Sequence, residues 1–102
     1  MSPLEKKFHT KVTTSLGNIK GLYFFTKEAL AIRGIPDIVG CYKGRFFAWE
    51  LKRNLPSTLR KTGRIVLQKY TIGLIRRAGG IGEFVCPENF QDNLHKLLDI
   101  PQ

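Results

Sequence analysis

The order of segments predicts an α/β fold, a central mixed β-sheet flanked by helices in the order α-β-β-β-α-β-α. Three observations carry this. Two β-rich runs meet across Lys43-Gly44, an apolar stripe at helical spacing runs from Val66 to Ala78, and a short apolar run follows directly from Ile81. With 102 residues and no compositional break, the chain is expected to be one domain, 1–102.

Ser2-Pro3-Leu4-Glu5 opens the first helix: serine caps free N–H groups, proline suits the first turn, and Glu5 closes a capping box. Leu4, Phe8, Lys11/Val12 and Ser15 keep helical spacing, and Gly17-Asn18 ends the segment. Leu22 to Phe25 is short and aromatic and reads as a strand. From Thr26 to Gly34 the signal is weak, and Ala29 to Arg33 reads either as a turn of helix or as an irregular lead-in. Asp37 to Tyr42 and Arg45 to Lys52 form a hairpin with Lys43-Gly44 as its turn. Asn54 to Arg64 is a basic loop without any acid. The helix from Val66 to Ala78 is expected to bury Val66, Leu67, Tyr70, Leu74 and Ile75, stopping at Gly79-Gly80. Ile81 to Cys86 is the last strand, and Pro87 to Ile100 a closing helix with Phe90, Leu94, Leu97 and Leu98 inward.

Hydrophobic residues at 42% and charged residues at 25% describe a globular chain. Apolar runs fall far short of the roughly 18 to 20 residues that cross a bilayer, and the amino end lacks a secretory signal, so a cytoplasmic protein without a membrane role is expected. Cys41 and Cys86 have no partner at metal-ligand spacing and read as small buried hydrophobes. Seventeen Lys and Arg against eight Asp and Glu give a net charge of +9, which points to a polyanion, nucleic acid before lipid because no basic amphipathic helix stands out.

A two-residue turn fixes the hairpin register, so Tyr42 faces Arg45, Cys41 faces Phe46, and Asp37 faces Glu50. Directly paired side chains have Cβ atoms about 4.5 to 5.5 Å apart, close enough for two carboxylates to ligate one cation. Lys52 lies two residues on, on the same face. Like charges set opposite each other repel, and a divalent ion resolves the conflict; Mg²⁺, or Mn²⁺ in its place, suits oxygen ligands. The chemistry expected is phosphodiester hydrolysis, with Lys52 orienting water or steadying phosphate charge. The turn is the vulnerable step. Lys43 must take positive φ in a two-residue loop, and a three-residue loop would send Asp37 and Glu50 to opposite faces, whereas four residues keep the pairing.

Gly34-Ile35-Pro36-Asp37-Ile38 followed by Ala48-Trp49-Glu50-Leu51-Lys52 resembles the signature of the PD-(D/E)xK nucleases, whose core is that of restriction endonucleases. Leu67-Gln68-Lys69-Tyr70 resembles the glutamine-bearing helix of the VRR-NUC branch, and the likeness extends from Glu5 to about Cys86. The resemblance implies catalytic Asp37, Glu50 and Lys52 supported by Gln68. It implies metal ligation by Asp37, Glu50 and the Leu51 backbone carbonyl, with Glu5 of the first helix as a further candidate. It further implies a homodimer that cuts branched DNA such as four-way junctions, in a bacterial cell or a virus-infected host. Arg53, Arg60, Lys61 and Arg64, extended by Lys69 and Arg76, are the candidate DNA contacts.

Plainer explanations stand beside these. Glu5 is accounted for by its capping box, Gln68 by an exposed helix position, and the arginines by solubility. His9 and His95 read as surface or cap residues, and Phe24, Phe25, Phe47 and Trp49 as core and interface rather than a base-stacking platform. A DNA- or junction-binding module without chemistry, and a nuclease of restriction or end resection, are the competing functions.

Overall fold

A computed structural model of the chain describes residues 2–29, 34–54 and 62–99. Helix α1 spans Pro3–Gly17 and strand β1 Leu22–Thr26, followed by a 3₁₀ turn at Lys27–Ala29. Strands β2 (Ile38–Tyr42) and β3 (Arg45–Leu51) form the hairpin, and helix α2 (Gly63–Arg77), strand β4 (Ile81–Val85) and helix α3 (Phe90–Leu98) complete the order. The sheet runs β1-β2-β3-β4; β2 is antiparallel to its neighbours β1 and β3, and β4 lies parallel to β3, so the sheet is mixed. Among the described residues no helix is long and apolar enough to cross a membrane.

Local chemistry explains the boundaries. The Ser2 hydroxyl accepts the Glu5 N–H at 3.2 Å and donates to Glu5 Oε1 at 3.2 Å, which starts α1. The β2–β3 turn has two residues with positive φ, Lys43 at 49° and Gly44 at 81°, and this preserves the register Tyr42 to Arg45 and Cys41 to Phe46. Thr62 caps α2 by accepting the Ile65 N–H at 3.2 Å, so this helix begins three residues before the expected Val66.

The pleat sends alternate residues to opposite faces. Ile38, Phe47, Trp49, Leu51 and Val85 meet Phe8, Val12 and Leu16 of α1 and Phe90 and Leu97 of α3 in the main hydrophobic cluster. Phe90 is wedged edge-on between Phe8 and Trp49, at centroid distances of 6.0 and 6.1 Å. Helix α2 packs on β3 and β4. It comes so close at Gly82 that a Cβ there would stand 3.1 Å from the Ile72 carbonyl oxygen.

Three sequence expectations change. Helix α2 buries Ile65, Gln68 and Ile72, whereas Val66, Leu67, Tyr70 and Leu74 of the expected inner stripe are exposed. The helix is apolar on two sides, and the polar Gln68 disguised the side that faces the sheet. Cys86 is buried as expected, but Cys41 is exposed, because it lies between Tyr23 and Phe46 on the outer half of the sheet, away from the β3 and β4 strands that α2 covers. Helix α3 starts at Phe90 rather than Pro87, the turn before it being held by Asn89, whose Oδ1 accepts the Cys86 N–H at 2.8 Å.

Gly40 is the tightest point of the sheet, where a Cβ would lie 2.2 Å from the Tyr23 carbonyl oxygen and 2.8 Å from both Phe24 and Phe47. Gly40→Ala is therefore expected to destabilise the protein by more than about 3 kcal/mol, read from the urea midpoint at unchanged slope.

Candidate functional site

Sheet register builds the site. Thr26 pairs with Ile38 and Ile38 with Trp49, so the next rung places Lys27, Asp37 and Glu50 side by side. The Lys27 N–H donates to the Asp37 carbonyl oxygen at 3.0 Å, extending the β1–β2 ladder by one bond. The Asp37 side chain then takes over from the ladder: Oδ2 accepts the Leu51 N–H at 2.8 Å and Oδ1 pairs with Lys27 Nζ at 3.1 Å. Asp37 is 8% exposed and Glu50 only 3%, so the two acids meet where water cannot screen them.

Their protonation follows from that burial. Glu50 is raised to about 8 by burial first, then by its hydrogen bond with Asp37 and that carboxylate's charge. Burial also pushes Asp37 up, but the hydrogen bonds from Glu50, the Leu51 N–H and Lys27 outweigh it, and its net shift is downward. In the metal-free protein at neutral pH, Glu50 thus keeps a proton that it donates to an ionised Asp37. Lys52, just past the end of β3, is lowered by burial first, against the attraction of Glu50 and with the repulsion of Arg64.

A cleft of about 710 Å³ opens over this rung, and Glu5, Lys27, Asp37, Glu50, Lys52 and Arg53 are among its walls, with Arg64 and Ile65 from the start of α2. Of the predicted catalytic residues, Asp37, Glu50 and Lys52 converge here. Gln68 does not reach the cleft wall, but it is buried on the sheet side of α2 between Ile65 and Ile72, and its Oε1 has no partner among the described residues. An orphaned buried acceptor costs about 1 to 3 kcal/mol. Burial rules out the plainer alternative, an exposed helix position, for Gln68.

Glu5 serves its capping box and also lines the cleft. Among the described residues no three His, Cys, Asp or Glu side chains cluster at metal-binding distance, so Glu5 does not close a triad with the acid pair. Arg53 and Arg64 line the cleft, whereas Lys69 is absent from its walls. Arg60 and Lys61 lie outside the described residues. Arg76 does not extend the track: its Nε donates to the Gly82 carbonyl at 2.7 Å and its guanidinium pairs with Glu83 at 2.8 Å, tying α2 to β4.

Sequence reasoning missed Lys27, and it placed His9 as a surface or cap residue although His9 and Glu28 both line the cleft. The signal for Lys27 was the β1–β2 register, which the irregular segment between those strands concealed. What remains is an all-oxygen donor set of two carboxylates flanked by two lysines. Magnesium and manganese fit such a set, since they take one or two carboxylates and retain water. The acids are buried and Asp37 already pairs with one cationic group, the Lys27 ammonium, at 3.1 Å.

No family model matches the sequence, and no curated protein does. Among solved structures, one described as a VRR_NUC domain protein is similar, with a TM-score of 0.66 over 96% of this chain and 90% of that one, at 15% sequence identity. The likeness is one of fold, and the chain has the α/β architecture of that domain, as the sequence led us to expect.

A pH dependence follows from Glu50. The folded protein holds its proton up to about 8, whereas the carboxyl of an unfolded chain gives it up near 4.5. The unfolded state binds fewer protons in that window, so this contribution to stability is complete below about 4.5 and lost as pH rises through about 8. Glu50→Gln, whose amide can still donate to Asp37, is expected to flatten the fall in melting temperature between pH 5 and 9 in EDTA. A wild-type protein whose melting temperature rises across that range contradicts the assignment.

Proposed function

We propose that the protein is a metal-dependent DNA endonuclease that hydrolyses phosphodiester bonds, prefers branched substrates such as four-way junctions, and works as a homodimer. The observation that carries the catalytic part is the convergence of Asp37, Glu50 and Lys52 in one cleft, on a fold shared with a VRR_NUC domain protein. Asp37 and Glu50 would hold Mg²⁺ or Mn²⁺, with the Leu51 carbonyl as a further oxygen and Glu5 at the margin. Such an ion, when bound, polarises the phosphate and makes water a stronger nucleophile.

The chain's own groups do the rest. Asp37 is oriented by the Leu51 N–H, so its free lone pairs face the cleft. Glu50 would hold such an ion as a carboxylate, beside Asp37 on the same rung. Lys52, its charge weakened by burial, orients the attacking water and steadies the charge that builds on the phosphate. Gln68, unsatisfied beneath the site, supports this arrangement. Arg53 and Arg64 grip neighbouring phosphates, a role that Arg60 and Lys61 share in this reading.

A second copy is the partner that suits the uncovered apolar face. Tyr23, Cys41 and Phe46 share one rung on that side of the sheet and are exposed, as are Val66, Leu67, Tyr70 and Leu74 on α2. The large ones are exposed by between 43% at Leu74 and 69% at Tyr23, an apolar patch of the kind that pairs proteins. None of these side chains is charged, which favours contact between two chains of net charge +9. Two-fold paired sites match the two-fold symmetry of a four-way junction.

Labelled four-way junctions, flaps and linear duplexes incubated with Mg²⁺, Mn²⁺ or EDTA test the enzyme. Metal-dependent cutting is expected, reduced about a thousandfold by Asp37→Asn or Glu50→Gln and about a hundredfold by Lys52→Met, and about tenfold or more by Gln68→Ala. A folded wild-type protein that cuts none of these substrates with either metal removes the reading. Sedimentation of wild type and Tyr70→Glu tests the pairing: a dimer converted to monomer is expected, and a wild-type monomer at micromolar concentration opposes it.

A further inference from the structure

Both oxygens of Asp37 are already engaged, and by groups of different kinds. Oδ2 is held by a backbone N–H at the end of β3, which cannot leave without breaking the strand, whereas Oδ1 is held by a side chain. The Lys27 backbone is pinned by its bond to the Asp37 carbonyl, yet its side chain is 34% exposed at the cleft wall and is free to swing on a four-carbon stem. Charge decides what happens on loading. A divalent cation on Oδ1 would meet the ammonium group that pairs with that oxygen at 3.1 Å, and like charges so close repel each other.

We propose that Lys27 is a tethered cation that occupies Oδ1 of Asp37 until a divalent ion displaces it, and that the released ammonium group then binds a phosphate of the nucleic acid. This rests on the metal-site reading above. Lys27 therefore weakens metal affinity and strengthens phosphate binding, which makes each event favour the other. It is a positioning residue, distinct from Lys52 on the far side of the acid pair.

The test is Mn²⁺ binding by calorimetry to the full chain as wild type, Lys27→Met, Lys27→Arg and Asp37→Asn. Lys27→Met is expected to bind Mn²⁺ about fivefold more tightly, the gain from losing one partly exposed competing pair, while Lys27→Arg stays near wild type. Equal or weaker binding by Lys27→Met overturns the inference while leaving the metal site intact. Wild-type affinity in Asp37→Asn overturns the metal site itself, and the inference with it. A second measurement covers failure of Lys27→Met to fold: the lysines of the wild type are dimethylated with ¹³C-formaldehyde and Mg²⁺ is titrated in. The Lys27 methyl resonance, identified by its loss in Lys27→Arg, is expected to move to the position of a free lysine; a resonance that Mg²⁺ leaves in place overturns the inference.

Discussion

Two carboxyl groups forced onto one buried rung of a β-sheet are the constraint on which this structure depends. Asp37 and Glu50 repel each other when both are ionised there, and the conflict is met by a proton held on Glu50 and by the Lys27 ammonium paired with Asp37 at 3.1 Å. Hydrophobic residues at those positions would pack without conflict. A sheet that retains the acids suits the metal site proposed above, and the conflict is localised at the mouth of the cleft lined by Lys27, Lys52, Arg53 and Arg64. The surrounding elements serve that arrangement: the two-residue turn sets the register, the Leu51 N–H orients one acid, and α1 and α2 raise the cleft walls.

Much of this was legible in the sequence because the hairpin is local. A turn of Lys43 and Gly44 fixes the pairing of every residue up to Asp37 and Glu50, and a lysine two residues beyond has its face dictated by the pleat. The positive φ of Lys43 is the cost of that short connection. Capping chemistry likewise announced α1. What the sequence concealed was non-local. Lys27 joins the rung through β1–β2 pairing across an irregular segment, and no turn of known length sets that register. Helix α2 was misoriented for a related reason: its leucines and tyrosine suggested the inner face, but the sheet accepts Ile65, Gln68 and Ile72, where Gly82 lets the helix approach.

That misreading has its own meaning. A helix with apolar residues on both sides, next to a half-sheet left open, is unusual for a chain that works alone. The buried Gln68 and the exposed Tyr70 are two aspects of one placement, which turns the polar residue toward the sheet and the apolar ones outward. Arg76 reinforces the same placement by locking the helix to β4 through the Gly82 carbonyl and Glu83.

The central claim is that the acid pair is built for a metal ion rather than for a shared proton. Anomalous diffraction from crystals grown with Mn²⁺ addresses it most directly. The account predicts a manganese peak bridging the Asp37 and Glu50 carboxylates, with Lys27 turned away from Oδ1. A map with no peak there, and with Lys27 still seated on Asp37, would contradict it.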